Sequence, residues 1–137
     1  MTQGQTPLID KLAWIYIQEQ KVLCARSKGK DTYYIPGGKR DPGETDEQAL
    51  VREIKEELSV DIVHDSIQYY GAFSAQADGK PKGTLVQITC YQADYTGTLA
   101  VDSEIEEMAW LDSSDLDKCS VVVKALFAQL KQDGLIG

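Results

Sequence analysis

The chain has 137 residues, 42% of them hydrophobic and 26% charged, with a net charge of −8. Those proportions are ordinary for a soluble globular protein, and the length suits one domain spanning 1–137 around a single core. The acidic balance argues against a partner held by its nucleic-acid backbone, which needs a basic footprint.

The opening residues, MTQGQTPLIDK, are polar and lack the apolar centre of a signal peptide, so residues 1–7 read as a flexible tail. Lys11 to Glu19 is rich in aromatic and β-branched residues and reads as a strand. Its apolar run, Leu12 to Ile17, is the longest in the chain and far too short to cross a membrane. Gln20 and Lys21 turn the chain, and Val22 to Ala25 return as a second strand. Ser27 to Thr32 is a loop, and Tyr33 to Ile35 approaches Pro36-Gly37-Gly38 as a short strand. A helix follows from Asp46 to Leu58. Asp61 to Val63 begins another strand, and Ile67 to Ala75 is the next. Ala77 to Gly83 is turn chemistry throughout. Thr84 to Tyr95 reads as the longest strand, and Gly97 breaks it. Glu104 to Leu111 contains a further strand. Ser113 or Ser114 caps a short helical turn. Ser120 to Lys131 closes as a helix with Val123, Leu126, Phe127 and Leu130 on one face and Gly134 past its end. Strands that bracket one helix and precede another give an α/β domain with a mixed β-sheet between helices.

Cys24, Cys90 and Cys119 are odd in number and far apart, so they suit neither a zinc site nor a disulfide framework. Reduced, buried thiols point to a cytoplasmic location. The lone histidine, His64, cannot build a histidine metal site or a catalytic triad by itself.

The first helix carries the chemistry. Thr45 is its N-cap, and from Asp46 to Leu58 there is no Gly or Pro. At 100° per residue, Leu50, Val51, Ile54 and Leu58 form an apolar arc, while Glu53, Glu56 and Glu57 form a second arc about 120° away. Glu53 stands i,i+3 from Glu56 and i,i+4 from Glu57, and such like-charge pairs cost a few tenths of a kcal/mol each. A cation would turn that cost into attraction. A solvated acidic face is the plain alternative.

The spacing around the helix is more specific than an acidic face requires. Gly38, five residues, Glu44, seven residues, then Arg52-Glu53-Ile54-x-Glu56-Glu57 and an apolar Val60 resembles the Nudix box of the Nudix hydrolases. One position departs: the family has Gly where this chain has Ser59. Gly there would supply a left-handed helix stop, which Ser reaches only at a cost of about 1 kcal/mol, so the helix end is expected to shift.

The resemblance implies an α/β/α sandwich and a metal-dependent hydrolase that cleaves the pyrophosphate linkage of a nucleoside diphosphate derivative by water attack at phosphorus. A divalent cation can mediate between the acidic residues and the phosphates, so the net charge does not exclude nucleotides. Carried across by position, Glu53, Glu56 and Glu57 are the metal residues, with Mg²⁺ as the cofactor and Mn²⁺ as a substitute. Glu56 and Glu57 lead as direct ligands. Arg52 pairs with Glu44 or Glu53 and holds the carboxylates. The general base is Glu104 or Glu53, since SEIEEMAWL resembles the family's late acidic pattern, with Glu106 and Glu107 read as surface residues.

Gly37 and Gly38 allow close backbone approach or simply make a turn. Lys39 and Arg26 are phosphate contacts or solvated side chains. Tyr33, Tyr34, Phe73 and Tyr91 stack on a base or belong to the core. The compact chain favours a nucleoside triphosphate as substrate. ADP-ribose or a nucleotide sugar is the alternative, and a catalytically silent ligand-binding module of the same fold is an alternative of another kind. A small-molecule nucleotide is the expected partner, with no membrane, and a homodimer is left open.

Overall fold

A computed structural model describes residues 8–77 and 79–137. The tail expected before Leu8 lies outside the described residues. The strands are β1 (Leu8–Ile15), β2 (Ile17–Gln18), β3 (Lys21–Ser27), β4 (Gly37–Gly38), β5 (Asp61–Ile62), β6 (Gln68–Gln76), β7 (Leu85–Gln92), β8 (Tyr95–Thr96) and β9 (Ile105–Leu111). The helices are α1 (Asp46–Leu58) and α2 (Val121–Gln132), with 3₁₀ turns at His64–Ser66 and Ser113–Lys118.

A four-stranded mixed sheet in the order β4-β1-β7-β6 sits beside a three-stranded antiparallel sheet, β2-β3-β9. Among the described strands only β1 and β7 pair in parallel, in register from Leu8 opposite Leu85 to Ile15 opposite Gln92. Alternation along β1 serves two layers at once. Leu12 and Trp14 join Leu23 under α1, where Ala49, Leu50, Ile54 and Leu58 are buried. Ala13 and Ile15 join Val22 and Cys24 under α2, where Val122, Val123, Leu126, Phe127 and Leu130 are buried. The result is the expected α/β/α sandwich. Trp14 is fully buried in the first layer, and its indole N–H donates to the Ala93 carbonyl at 2.9 Å, so its one polar atom is satisfied. All three cysteines are buried and free.

Several boundaries differ from the sequence reading. The stretch read as one strand from Lys11 to Glu19 is two, β1 ending at Ile15 and β2 at Ile17–Gln18, because the chain passes from one sheet to the other, and the turn falls on Glu19 and Gln20, both at positive φ. Tyr33 to Ile35 makes isolated bridges, Tyr34 to Ala25 and Tyr33 to Cys119, and not a strand. β6, with 9 residues, is longer than β7, with 8, because the chain leaves the ladder after Gln92. Asp112, not Ser113 or Ser114, caps the 3₁₀ turn, accepting from the Ser114 N–H. On α1, Ala49 replaces Val51 in the buried set.

The α1 boundaries fall where the sequence placed them. Thr45 and Gln48 form a reciprocal capping box, each side chain bonded to the other's backbone N–H. At the other end Ser59 does not displace the helix stop. It adopts the left-handed conformation itself, with φ 65° and ψ 20°. That conformation strains a residue with a Cβ by about 1 kcal/mol. Ser59→Gly is therefore expected to raise stability by roughly 0.5–1 kcal/mol while leaving the rest of α1 in place. Urea unfolding checks this: the midpoint should rise at unchanged slope, and a fall would show that the Ser59 side chain supports the fold.

Candidate functional site

Helical geometry grades the three carboxylates of α1. Relative to Ala49, Glu57 points about 80° round the helix, next to Leu50 at about 100°, whereas Glu56 points about 20° the other way. Glu57 is consequently pulled in beside the buried stripe, with Glu53 intermediate between the two. Glu56 is left outside: its side chain is 53% exposed against 18% for Glu53.

Arg52 organises the acidic side chains around it. Its Nε and Nη2 donate to the two oxygens of Glu44 at 2.8 and 2.9 Å, a bidentate pair. Nη1 reaches Glu53 and Glu56, each at 3.1 Å, and Nη2 also donates to the Lys39 carbonyl at 3.1 Å. The guanidinium, helped by the Asp41 N–H, holds the Glu44 carboxyl down to about 2. Glu44 and Arg52 thus fasten the loop before α1 to the second turn of the helix. Both of the Arg52 partners expected from the sequence are present, together with Glu56.

Gly37 and Gly38 form β4 against Ala13 and Leu12 of β1. A Cβ on Gly37, where φ is +150°, would stand 2.0 Å from the Leu12 carbonyl oxygen. A Cβ on Gly38 would stand 2.5 Å from the Glu53 carboxyl carbon. The backbone at Gly37 excludes any side chain, and one at Gly38 would push the Glu53 carboxylate aside. Close approach lets the Gly37 N–H donate to Glu57 at 3.2 Å.

Glu53, Glu57, Gly37, Gly38 and Lys39 line a cavity of about 650 Å³. Glu104, in the turn before β9, faces the same space, as do Lys11, Lys30 and Lys80. Its apolar lining comes from Ile9, Val86 and Ile88 of the sheet and from Val122 and Val123 at the start of α2. Burial pushes the Glu57 carboxyl up to about 8, with Glu53 and Glu104 adding to the rise while the Gly37 N–H and Lys11 oppose it. Glu53 is raised in the same direction, chiefly by burial, against the pull of Arg52. Two carboxyls that resist ionisation beside an open cavity make a place where a cation is favoured.

Whether the residues suit Mg²⁺ depends on donor type and number. The donors are carboxylate oxygens, the hard ligands that Mg²⁺ takes, and this ion normally uses one or two protein carboxylates, completing its shell with waters and phosphate oxygens. Among the described residues, no group of three or more His, Cys, Asp or Glu side chains stands close enough to enclose a metal ion. The arrangement suits a shared, open site and not a closed protein cage.

The other residues singled out in the sequence are dispersed. Arg26 lies on β3 between Glu106 and Glu107 of β9, with its guanidinium 5.9 Å from the Tyr33 ring, and neither Arg26 nor Tyr33 lines the cavity. Glu106 and Glu107 are exposed. Phe73 packs under α2, and Tyr91 packs under α1. Tyr34 does line the cavity, its hydroxyl 2.5 Å from the Ser27 hydroxyl, and the negative charge of Glu57, Glu104 and Glu53 adds to the burial that raises its pKa. Lys11, Lys30 and Lys80 were missed. Lys11 could have been found from strand alternation, since it shares a face with Ala13; Lys30 and Lys80 sit in loops with no periodic signal.

The NUDIX domain family matches residues 11–130, from within β1 to two residues short of the end of α2, and takes in every cavity residue from Lys11 to Val123. The chain belongs to the Nudix family. An ADP-ribose pyrophosphatase of Methanocaldococcus jannaschii is 30% identical over 104 residues, covering 74% of this chain and 60% of that protein. A CTP pyrophosphohydrolase of Escherichia coli is 27% identical over 108 residues, covering 75% of each. Among solved structures, the E. coli ORF135 protein is similar over 97% of both chains, with a TM-score of 0.69 and 25% identity. The chain spans 62%, 35% and 60% of the length of three curated relatives it matches. Among the described residues no helix is long and apolar enough to cross a membrane.

The raised Glu57 carboxyl makes stability depend on pH in a defined direction. Its folded value, about 8, lies above the ordinary 4.5. Between those limits the folded Nudix domain holds a proton that the unfolded chain releases. Stability without metal therefore falls as pH rises through that window. Glu57→Gln removes the effect, so the variant should match the wild type near pH 4 and exceed it by a few kcal/mol near pH 8. Thermal unfolding in EDTA across that range checks the divergence. A constant offset at every pH would show that Glu57 is not the group responsible.

Proposed function

We propose that this protein is a Mg²⁺-dependent pyrophosphohydrolase that cleaves a nucleoside triphosphate by attack of water at phosphorus, with Mn²⁺ able to replace Mg²⁺. The supporting observation is the convergence of Glu53, Glu57 and Glu104 on one cavity whose walls also carry lysines and an apolar surface. Carboxylates alone would repel a polyphosphate. Acidic and basic side chains on one cavity support a ligand that pairs a cation with an anion, as a metal–nucleotide complex does.

Glu57 and Glu53 are the residues proposed to hold the ion, with Glu104 facing them. Bound there, Mg²⁺ would neutralise and orient the diphosphate oxygens and make water a better nucleophile. Glu56 is the weaker candidate, because it is turned outward and engaged by Arg52. Arg52 holds Glu53 in orientation and ties α1 to the loop that presents Lys39. Gly37 uses its N–H to fix the Glu57 carboxylate. Glu104 and Glu53, both lining the cavity, are the two groups proposed to accept the proton from water. Lys39 and Lys11 offset phosphate charge that the ion leaves exposed. Opposite them, Ile9, Val86, Ile88 and Val122 offer the apolar surface on which a nucleoside would rest.

The similarity to the M. jannaschii ADP-ribose pyrophosphatase supports a second reading, in which the group beyond the diphosphate is a ribose. The cavity volume falls within the range usual for ligands of either size. A phosphate-release screen over nucleoside triphosphates, ADP-ribose, nucleotide sugars and dinucleotides separates the two. Failure to turn over any of them with Mg²⁺ or Mn²⁺ would leave a ligand-binding module.

Activity is expected to require Mg²⁺ or Mn²⁺ and to vanish in EDTA; turnover that survives excess chelator would exclude the mechanism. Single substitutions should separate the carboxylates. Glu57→Gln and Glu53→Gln should each lower kcat by about 10²-fold or more, as loss of a well-placed electrostatic group does. Glu56→Gln should cost less than either, and Glu106→Gln almost nothing. Equal losses at Glu56 and Glu57 would mean that Glu56 turns inward on the ion.

A further inference from the structure

The loop before α1 is fastened to the helix by Arg52 and Glu44, but those contacts do not reach the sheet. Arg52 binds the Lys39 carbonyl and Glu44, and Glu44 accepts from the Asp41 N–H at 2.7 Å. Loop and helix therefore form one unit. That unit meets β1 through the short β4 pairing and through the apolar underside of α1. Apolar packing is non-directional and does not by itself define where a helix stands along its axis.

A second guanidinium supplies the missing direction. Arg40 donates through Nη1 to Asp46 at 2.6 Å and through Nη2 to Asp10, so it spans the first residue of α1 and the middle of β1. Tyr91 of β7 donates its hydroxyl to the other oxygen of Asp46 at 2.6 Å. The start of α1 is thus tied to two neighbouring strands by charge-assisted hydrogen bonds, which are stronger and more directional than neutral ones. Arg40, Asp10 and Asp46 are all half-buried, with 32%, 34% and 32% of their side-chain surface exposed, so solvent does not fully screen the pair. The second oxygen of Asp10 is buried with no hydrogen-bond partner among the described residues, which leaves Arg40 as the group that compensates this carboxylate.

We propose that Arg40 is a positioning residue: by bridging Asp10 and Asp46 it sets where α1, and with it Glu53 and Glu57, stands relative to Gly37 and Gly38. The clearances at the cavity make that placement matter. Glu53 lies against Gly38 with no room for a Cβ between them, and Glu57 sits at hydrogen-bond distance from the Gly37 N–H. A shift of the helix along β1 would change both contacts together. Misplacement of a reacting group by about 1 Å costs about 10²-fold in rate, and loss of a group that orients metal ligands typically costs 10–100-fold in metal affinity.

The inference rests on the reading of Glu53 and Glu57 as the groups that hold the ion, so its test reads metal binding as well as turnover. Mn²⁺ binding is measured by electron paramagnetic resonance on the wild type, Arg40→Ala, Arg40→Lys and Tyr91→Phe, with kcat and KM on whichever nucleotide the wild type hydrolyses. Arg40→Ala should bind Mn²⁺ about 10-fold more weakly and lose about 10-fold or more in kcat, with KM changed far less. Arg40→Lys should recover part of both, since an ammonium keeps the charge but not the two-pronged geometry. Tyr91→Phe should shift both in the same direction by a smaller factor.

Should Arg40→Ala fail to fold, Arg40→Lys and Tyr91→Phe decide. Unchanged Mn²⁺ affinity and kcat in the folded variants, whatever their melting temperature, would overturn the positioning role and leave Arg40 a stabilising contact only. Absence of Mn²⁺ binding in the wild type would overturn the functional reading itself, and this inference with it.

Discussion

Four carboxylates lie within reach of the Arg52 guanidinium: Asp41, Glu44, Glu53 and Glu56. One cation among four acids leaves the cluster negative, so repulsion is distributed and not cancelled. Glu44 takes the strongest share through two parallel hydrogen bonds, and Glu53 receives a single contact on one oxygen. Glu57 receives none from Arg52. Its compensation comes from a backbone N–H and from the more distant Lys11, and it remains a carboxyl that resists losing its proton. The guanidinium thereby divides the acidic groups into those that are satisfied and structural and those that face the cavity short of positive charge.

The division works only because the backbone comes close. β4 is two glycines wide, and each is enclosed, Gly37 by the Leu12 carbonyl and Gly38 by the Glu53 carboxylate. A side chain at Gly37 would force β4 away from β1 and open the Glu57–Gly37 hydrogen bond, and one at Gly38 would displace the Glu53 carboxylate. The buried stripe of α1 presses the helix down onto Leu12, Trp14 and Leu23, and the glycines permit the distance that this packing demands. Packing and polar geometry support the same placement, which is the consistency expected where a site is held on rigid elements.

Charge in the cavity is arranged against the sign of the whole molecule. The chain carries −8 overall, yet the lining of the cavity includes Lys11, Lys30, Lys39 and Lys80 beside three glutamates. At a separation below the Debye length, about 8 Å at physiological salt, this local pattern governs what can dwell there more than the net charge does. A dianionic or more highly charged ligand accompanied by a divalent cation meets both signs at once. The apolar floor from β1 and β7 adds a surface on which an organic group of such a ligand would be buried.

Local patterns were legible in the sequence because they depend on local rules. The α1 boundaries follow from the Thr45 capping box and the absence of Gly and Pro, and the Nudix spacing follows from residues within one loop and one helix. Alternation in the first strand and the buried face of α2 were readable for the same reason. Left-handed Ser59 shows where even local reasoning failed: the cap was identified, but packing of Leu58 and Val60 on either side, both buried, holds the stop in place against its strain. The ranking of the glutamates turned on which face α1 buries. With Val51 in the apolar stripe the three glutamates share a separate arc, but with Ala49 in its place Glu57 falls beside the stripe, against Gly37 of β4, and Glu56 is left in solvent. Arg26 was drawn off by Glu106 and Glu107 across a strand pair some eighty residues apart in sequence, a pairing set by the β3–β9 register. Lys11, Lys30 and Lys80 reach one cavity only because β1, the loop after β3 and the loop between β6 and β7 are brought together. Such contacts are products of closure over long sequence separation, and only the tertiary structure decides them.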